Sequence, residues 1–540
     1  MQQKSSDEPE RPERPQRPLD REPEPPPKWK IAPVDGRVLD PATALVVKGV
    51  QPRSTVYVGP RLTVSYGKDY AETLDVLRDV ADDLGWDVEP DDDGQREALR
   101  FGVRRLRLNV ASRKATLAPD GWILLQQARA KYGVERLHGV GLDHVISVAT
   151  VGSNPFHDGN PFHDGNPFHD GNPFHDGNPF HDGNPARGGG SYAVSTYGLP
   201  GSGGRQPIAY VGPRPHRCSD AELEERRPVV AVLDTGCAPH PWLDLVVNTS
   251  VGLDGQPIGH VDPATAPDLM GDLVGPLDGS IDTLSGHGTF ICGLVHQACP
   301  DADILSWRIV SSEGPIVESD LVLALSQIAE LARRHREGEP GGQRIDILNL
   351  SMGYYHETPE DALFDPTMHD ILEDLGRSGV IVVCSAGNDA TSRPLFPAAF
   401  TPWHDGNGPY QPDPDVVPVV SVGALNPNQR TDALFSNAGP WVRAHVPGAA
   451  VMSTMPGFQG GFQAVAATTA YGRPRESIDP DDFRGGFAVW SGTSFSAPLL
   501  AGILAANLQG ELERPGQPVS PETAVKRAWS VVEKCTGITQ

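Results

Sequence analysis

One stretch, Val489-Trp490-Ser491-Gly492-Thr493-Ser494-Phe495-Ser496-Ala497-Pro498, constrains this chain more than any other. A turn of small residues leads directly into the apolar segment Leu499-Leu500-Ala501-Gly502-Ile503-Leu504-Ala505-Ala506, which reads as a buried helix. Pro498 is expected inside the first turn of that helix, where a missing N–H costs least. Ser494 would then sit at a helix N-terminus, where the dipole favours developing negative charge. A serine hydroxyl alone is a poor nucleophile. It needs a base to take its proton and an acid to orient that base.

Both are found upstream. The candidate base is His287, within Gly286-His287-Gly288-Thr289, whose glycines allow close backbone approach. The segment Phe290-Ile291-Cys292-Gly293-Leu294-Val295 behind it reads as a buried helix. The candidate acid is Asp234, which ends the apolar strand Val229-Val230-Ala231-Val232-Leu233. A carboxylate at the carboxyl end of a buried parallel strand is where an α/β sheet places its chemistry. Asn388 follows Ala386-Gly387 after the strand Val380–Cys384, and its amide can donate to a tetrahedral oxyanion. Ser351-Met352-Gly353 follows the strand Ile345–Leu350 and offers an edge for β-addition of an extended peptide.

These five segments, in this chain order, resemble the subtilisin-like serine peptidases (subtilases). The resemblance runs from about Arg227 to the C-terminus and takes in Phe396-Pro397-Ala398, Val419–Ala424 and Phe435-Ser436-Asn437-Ala438-Gly439. It implies Asp234 as orienting acid, His287 as general base and acid, Ser494 as nucleophile and Asn388 as side-chain oxyanion donor. It implies Ser351, Met352, Gly353, Ala386 and Gly387 as walls of the substrate cleft. Met352 suggests an adaptable apolar subsite. The implied fold is α/β: three layers about a mainly parallel sheet.

The 540 residues are long enough for two or three domains. A formal net charge of −25 argues against a nucleic-acid surface. No window approaches the roughly 18 apolar residues of a membrane span. Residues 1–28 are Pro, Arg and Glu with almost no apolar residues and lack the apolar core of an export signal, a departure from most subtilases. A cytoplasmic location is therefore expected, with unconventional export as the alternative. The six cysteines lack the spacing of a disulfide scaffold and read as small buried hydrophobes. The aspartates between Asp234 and His287 show no calcium-loop spacing, so no metal and no cofactor is expected.

Residues 1–52 read as a disordered Pro-rich arm. Residues 53–150 read as a small α+β unit of ferredoxin-like βαββαβ order. Val56–Val58 and Leu62–Val64 look like strand. Asp69 and Glu72 form a capping box for a helix closed by Gly85, and a second helix runs from Pro119 to Gly133. Leu99, Phe101 and Val103 alternate, as do Leu106, Leu108 and Val110, but the phase slips between the two sets, which suggests a bend or hairpin. Val145-Ile146-Ser147-Val148 closes the unit. Directly upstream of a subtilase-like region, this order resembles the family's inhibitory propeptide, which lays its last strand in the cleft. Residues 151–226 form a linker with five Asn-Pro-Phe-His-Asp-Gly repeats from Asn154, and Pro402-Trp403-His404-Asp405-Gly406-Asn407 echoes them. Residues 227–540 form the peptidase unit. The expected activity is endopeptidase, with a polypeptide substrate, a regulatory protein partner, and neither nucleic acid nor membrane. The alternative is a catalytically silent fold that binds proteins.

Overall fold

The computed structural model describes residues 22–23, 25–91, 99–111, 117–148, 194, 196–274, 279–311, 315–358, 366–460 and 467–540. The hexapeptide repeats lie outside the described residues. In chain order the N-terminal elements are β1 (Val56–Ser65), α1 (Tyr70–Leu84), β2 (Trp86–Pro90), β3 (Val103–Val110), α2 (Gly121–Tyr132) and β4 (Val140–Val148). The four strands lie in the order β4-β1-β3-β2, each pair antiparallel. The caps form where the side chains call for them. Asp69 accepts from the Glu72 amide at 3.0 Å, Gly85 closes α1 at φ +74°, and Asp120 accepts from the Ile123 amide at 3.1 Å.

The slip in β3 has a tertiary cause. Val103 packs into the apolar cluster of the following layers, whereas Leu106 and Leu108 pack with Leu77, Trp86 and Leu125 of the N-terminal sheet and helices. The strand is therefore continuous and serves two cores on opposite faces; no hairpin interrupts it.

Further along come β5 (Val229–Asp234), β6 (Val247–Asn248), α3 (His287–Ala298), β7 (Asp303–Arg308), β8 (Ile316–Val317), α4 (Glu318–Glu337), β9 (Ile347–Leu350) and β10 (Met352–Gly353). Then follow α5 (Thr367–Arg377), β11 (Ile381–Ser385), β12 (Val420–Leu425), β13 (Ala444–Pro447), α6 (Thr493–Gln509) and α7 (Pro521–Thr536). Seven of these strands form a wholly parallel sheet in the order β13-β12-β11-β9-β5-β7-β6. One face packs on α4 and α5, the other on α3, α6 and α7, giving the three-layer α/β architecture. The central strands read as unbroken apolar runs because both faces are covered, as in Val229–Asp234, buried throughout.

Three expectations need correction. Residues 25–52 are not a free arm: Leu39, Val47 and Val50 are buried with the N-terminal core, and Gly36–Val38 pairs with β1. A few apolar residues are enough to dock a Pro-rich segment on a finished sheet. Residues 196–226, assigned to the linker by composition, pack on the parallel-sheet unit: Gln206–Pro207 pairs with Ala488 and Val489, and Arg205 donates to the carbonyls of Ile281, Asp282 and Ser285. Pro498 is the sixth residue of α6, not a first-turn residue. An interior proline leaves the carbonyl four residues back without its helical donor. That carbonyl belongs to Ser494, and it accepts from the Ser351 hydroxyl at 2.9 Å instead.

Candidate active site

The carboxyl ends of adjacent parallel strands bring the candidate residues to one edge of the sheet. Asp234 is the last residue of β5, Ser351 follows β9, and Ala386-Gly387-Asn388 follows β11. His287 opens α3 and Ser494 is the second residue of α6, and these two helices pack against each other. Asp234, His287, Ser351 and Ser494 are all fully buried.

Asp234 Oδ1 accepts from the Thr235 amide and from His287 Nδ1, each at 2.7 Å. An ionised carboxylate only accepts, so Nδ1 carries the imidazole proton and Nε2 presents its lone pair. Gly288 makes this approach feasible: a Cβ there would lie 2.0 Å from the Gly236 carbonyl oxygen. The Gly288 amide donates to Thr235 Oγ1 at 2.7 Å. The imidazole is walled by Trp490 and Phe495, at ring-centroid distances of 5.7 and 5.3 Å.

Asn388 Oδ1 accepts from both the amide and the hydroxyl of Thr493, each at 2.9 Å, which fixes the side-chain amide and leaves its NH2 as donor. Gly387, at φ +97°, has Asn437 Nδ2 only 2.4 Å from where a Cβ would stand. Asn437 braces this loop through the Ala386 carbonyl and the amides of Asp389 and Thr391. Ser494 Oγ donates to the Ser351 carbonyl at 3.1 Å.

Asp234 Oδ2, His287 Nε2 and Asn388 Nδ2 are buried without a hydrogen-bond partner. A buried polar group left unmade typically costs about 1–3 kcal/mol, so such groups mark strain, function or an absent ligand. Two of these three, a ring-nitrogen lone pair and an amide N–H, are the kinds of group that acyl transfer uses as base and oxyanion donor.

Sequence reasoning missed several supporting residues. Thr493 orients Asn388, Asn437 holds the Ala386–Asn388 loop, and Asp268 accepts from the Thr289 amide at 2.9 Å in the first turn of α3. Burial pushes the Asp268 carboxyl up to about 6, against hydrogen bonds from Thr235 and Thr289 that pull it down. The small-residue motif flanking Ser494 was the available signal for Thr493, and the Phe435–Gly439 segment was the signal for Asn437; Asp268 has no local signature.

The candidate cleft edge is already paired. Met352 and Gly353 of β10 lie antiparallel to Val148 and Ser147 of β4, while Ile316 and Val317 of β8 pair with Ile146 and Val145. The N-terminal sheet thus inserts its last strand between two edges of the parallel-sheet unit. Met352 is fully buried in the apolar cluster that holds Val103 and Ile146, so its side chain joins the core and forms no open subsite. The carboxylates between Asp234 and His287 are largely committed to local structure: Asp254 pairs with Arg334, Asp262 caps a turn and Asp282 accepts from Leu273 and Val274.

A model of the subtilase family matches residues 225–529, more than half of the chain. An intracellular serine protease of Paenibacillus polymyxa is 25% identical over 291 residues, 51% of this chain and 65% of that protein. The major intracellular serine protease of Bacillus subtilis is 23% identical over 292 residues, 51% of this chain and 66% of that protein. Both alignments therefore span just under two thirds of the relatives' own length. Among solved structures, fervidolysin from Fervidobacterium pennivorans, a keratinolytic enzyme related to subtilisin, overlaps 88% of this chain and 57% of its own at 18% identity, with a TM-score of 0.43.

Proposed function

The chain belongs to the subtilase family, and from that premise we propose that it is a serine endopeptidase held in check by its own N-terminal unit. The observation that carries the reading is the Asp234–His287 hydrogen bond, together with the unpartnered His287 Nε2 and Asn388 Nδ2. Ser494 Oγ attacks a scissile carbonyl as His287 Nε2 takes its proton. Asp234 holds the imidazole tautomer and stabilises the imidazolium without itself being protonated. Asn388 Nδ2 and the Ser494 amide at the N-terminus of α6 stabilise the oxyanion. His287 then protonates the leaving amine, and water repeats the cycle to release the acyl group.

Residues 25–150 serve as the inhibitory unit, 151–193 as the connection and 194–540 as the peptidase. The β4–β10 pairing supports this division, because an extended substrate needs the same Met352–Gly353 edge. The substrate is a polypeptide, and a regulatory protein is the trigger that displaces β4. The names of the two bacterial relatives support a cytoplasmic setting, and no helix among the described residues is long and apolar enough to cross a membrane.

A second reading, a silent fold used for binding, draws on the Ser494 hydroxyl being bonded to Ser351 rather than to His287. Intact mass of wild type and Ser494→Ala, with and without a fluorophosphonate probe, separates the two. Labelling or self-shortening of wild type alone supports the peptidase. No labelling of either protein, even after removal of residues 1–193, supports the silent fold.

A further inference from the structure

Where β4 enters the parallel-sheet unit, a cluster of ionisable side chains lies fully enclosed. His144 stands on β4, Glu318 opens α4, and His356 and Glu357 follow β10 by three and four residues. His144, His356 and Glu357 are each 3% exposed or less. Their candidate ligand atoms all lie within 4.8 Å of one another. His144 Nε2 is 2.7 Å from Glu357 Oε2, and His356 Nδ1 is 3.4 Å from the same oxygen.

Three details make this more than an ion pair. Glu318 binds His144 Nδ1 and is itself held by the Tyr354 hydroxyl, so the ring is oriented with Nε2 towards Glu357. A carboxylate on the far nitrogen is the usual support of a metal-bound histidine. The Thr358 amide donates to His356 Nδ1 at 3.0 Å, so that nitrogen carries a lone pair and not a proton, and an ion there would take that lone pair over from the amide. Glu357 Oε1 is buried with no partner. Glu357 faces the Arg129 guanidinium, both His144 ring nitrogens meet carboxylates, and Tyr354 stacks on His144 at 4.6 Å. A divalent ion would take the place of the proton that His144 Nε2 directs at Glu357.

We infer that His144, His356 and Glu357 form a binding site for a divalent ion of the zinc class, with Glu318 positioning the His144 ring. Two imidazoles and a carboxylate are a borderline-soft donor set that suits such an ion. Tetrahedral bonds of about 2.0–2.1 Å put ligand atoms about 3.3 Å apart. The present spacings, from 2.7 Å to at most 4.8 Å, bracket that value. The fourth position falls to water or to Glu357 Oε1. One ligand comes from the N-terminal unit and two from the segment just past the cleft edge, so the ion would staple β4 in place.

The test uses full-length Ser494→Ala, which keeps the chain whole whether or not it is a protease. Chelator-stripped protein is titrated with Zn2+ by calorimetry and with Co2+ by visible absorption. The five repeat histidines are a second source of binding, so the readout is a difference. His144→Gln and His356→Gln should each lose one equivalent of Zn2+ and the intense tetrahedral Co2+ band. Glu318→Gln should keep the equivalent but weaken it about 10–100-fold. If a variant fails to fold, the parent with residues 154–183 deleted still decides: a Zn2+-dependent rise in unfolding temperature with histidine ligands in X-ray absorption supports the site. Unchanged stoichiometry in both histidine variants, or only pale octahedral Co2+ in the parent, overturns it.

Discussion

The Ser494 hydroxyl donates to the Ser351 carbonyl at 3.1 Å, while the Ser351 hydroxyl donates back to the Ser494 carbonyl at 2.9 Å. This reciprocal pair parks the proposed nucleophile against the segment proposed as the cleft wall, and His287 Nε2 is left unpartnered. The proposed catalysis requires Ser494 Oγ to turn to that nitrogen. Ser494→Ala and His287→Ala should each reduce peptide hydrolysis on the order of 10⁶-fold, and the double variant should be no worse than either, because the groups act as a unit. Steady-state kinetics on protein lacking residues 1–193 checks this. Independent, multiplying losses would exclude a shared nucleophile–base step.

Asn388 has two separable duties. Its Oδ1 holds Thr493, and its Nδ2 is the proposed oxyanion donor. Asn388→Asp keeps an acceptor for Thr493 and removes the donor. It should lower kcat by about 100–1,000-fold with KM changed only a few-fold. A loss expressed wholly in KM would assign Asn388 to substrate binding.

Ile146 lies on β4 between the two units and is 1% exposed, in the apolar cluster that contains Met352. Ile146→Asp buries an unpaired carboxylate there and should loosen β4 from the cleft edge. The full-length variant should therefore hydrolyse a general peptide substrate faster than wild type. Equal basal rates, with both proteins folded by circular dichroism, would remove β4 as the inhibitory element.

Asp268 gives a pH signature. Burial raises its folded value to about 6, above the unfolded value near 3.8. The native state thus holds this proton more tightly, and stability is lost as pH rises from about 4 to about 6, then stays level. Asp268→Asn keeps an acceptor for Thr289 and removes the titration. Its stability relative to wild type should climb by on the order of 2 kcal/mol over that window. Denaturant unfolding of both proteins between pH 4 and 8 measures it; parallel curves would contradict the assignment.

The legible parts of the site were those with a local reason to be where they are. Asp234 had to end a strand, His287 needed flanking glycines, and Ser494 sat between a tight turn and an apolar helix. The α1 and α2 caps were similarly local, since Asp69 and Asp120 bond amides three residues away. Residues 25–52 misled because composition dominated the reading and four well-placed apolar side chains did not.

By itself the sequence determined the apolar strand and helix segments, the order of the motifs and the chemistry of each candidate group, because these follow from periodicity, caps and side-chain type within a few residues; the parallel sheet and a last N-terminal strand in the cleft were what the family resemblance implied. Tertiary structure alone decided that Val103 faces away from Leu106, that the carbonyl freed by Pro498 meets Ser351, and that the register of β4 sets Val148 opposite Met352, 204 residues along the chain. It also decided that His144 meets Glu318 and Glu357. Such pairings join surfaces far apart in the chain, and what selects them is the apolar area and the hydrogen bonds that become available only once both surfaces exist.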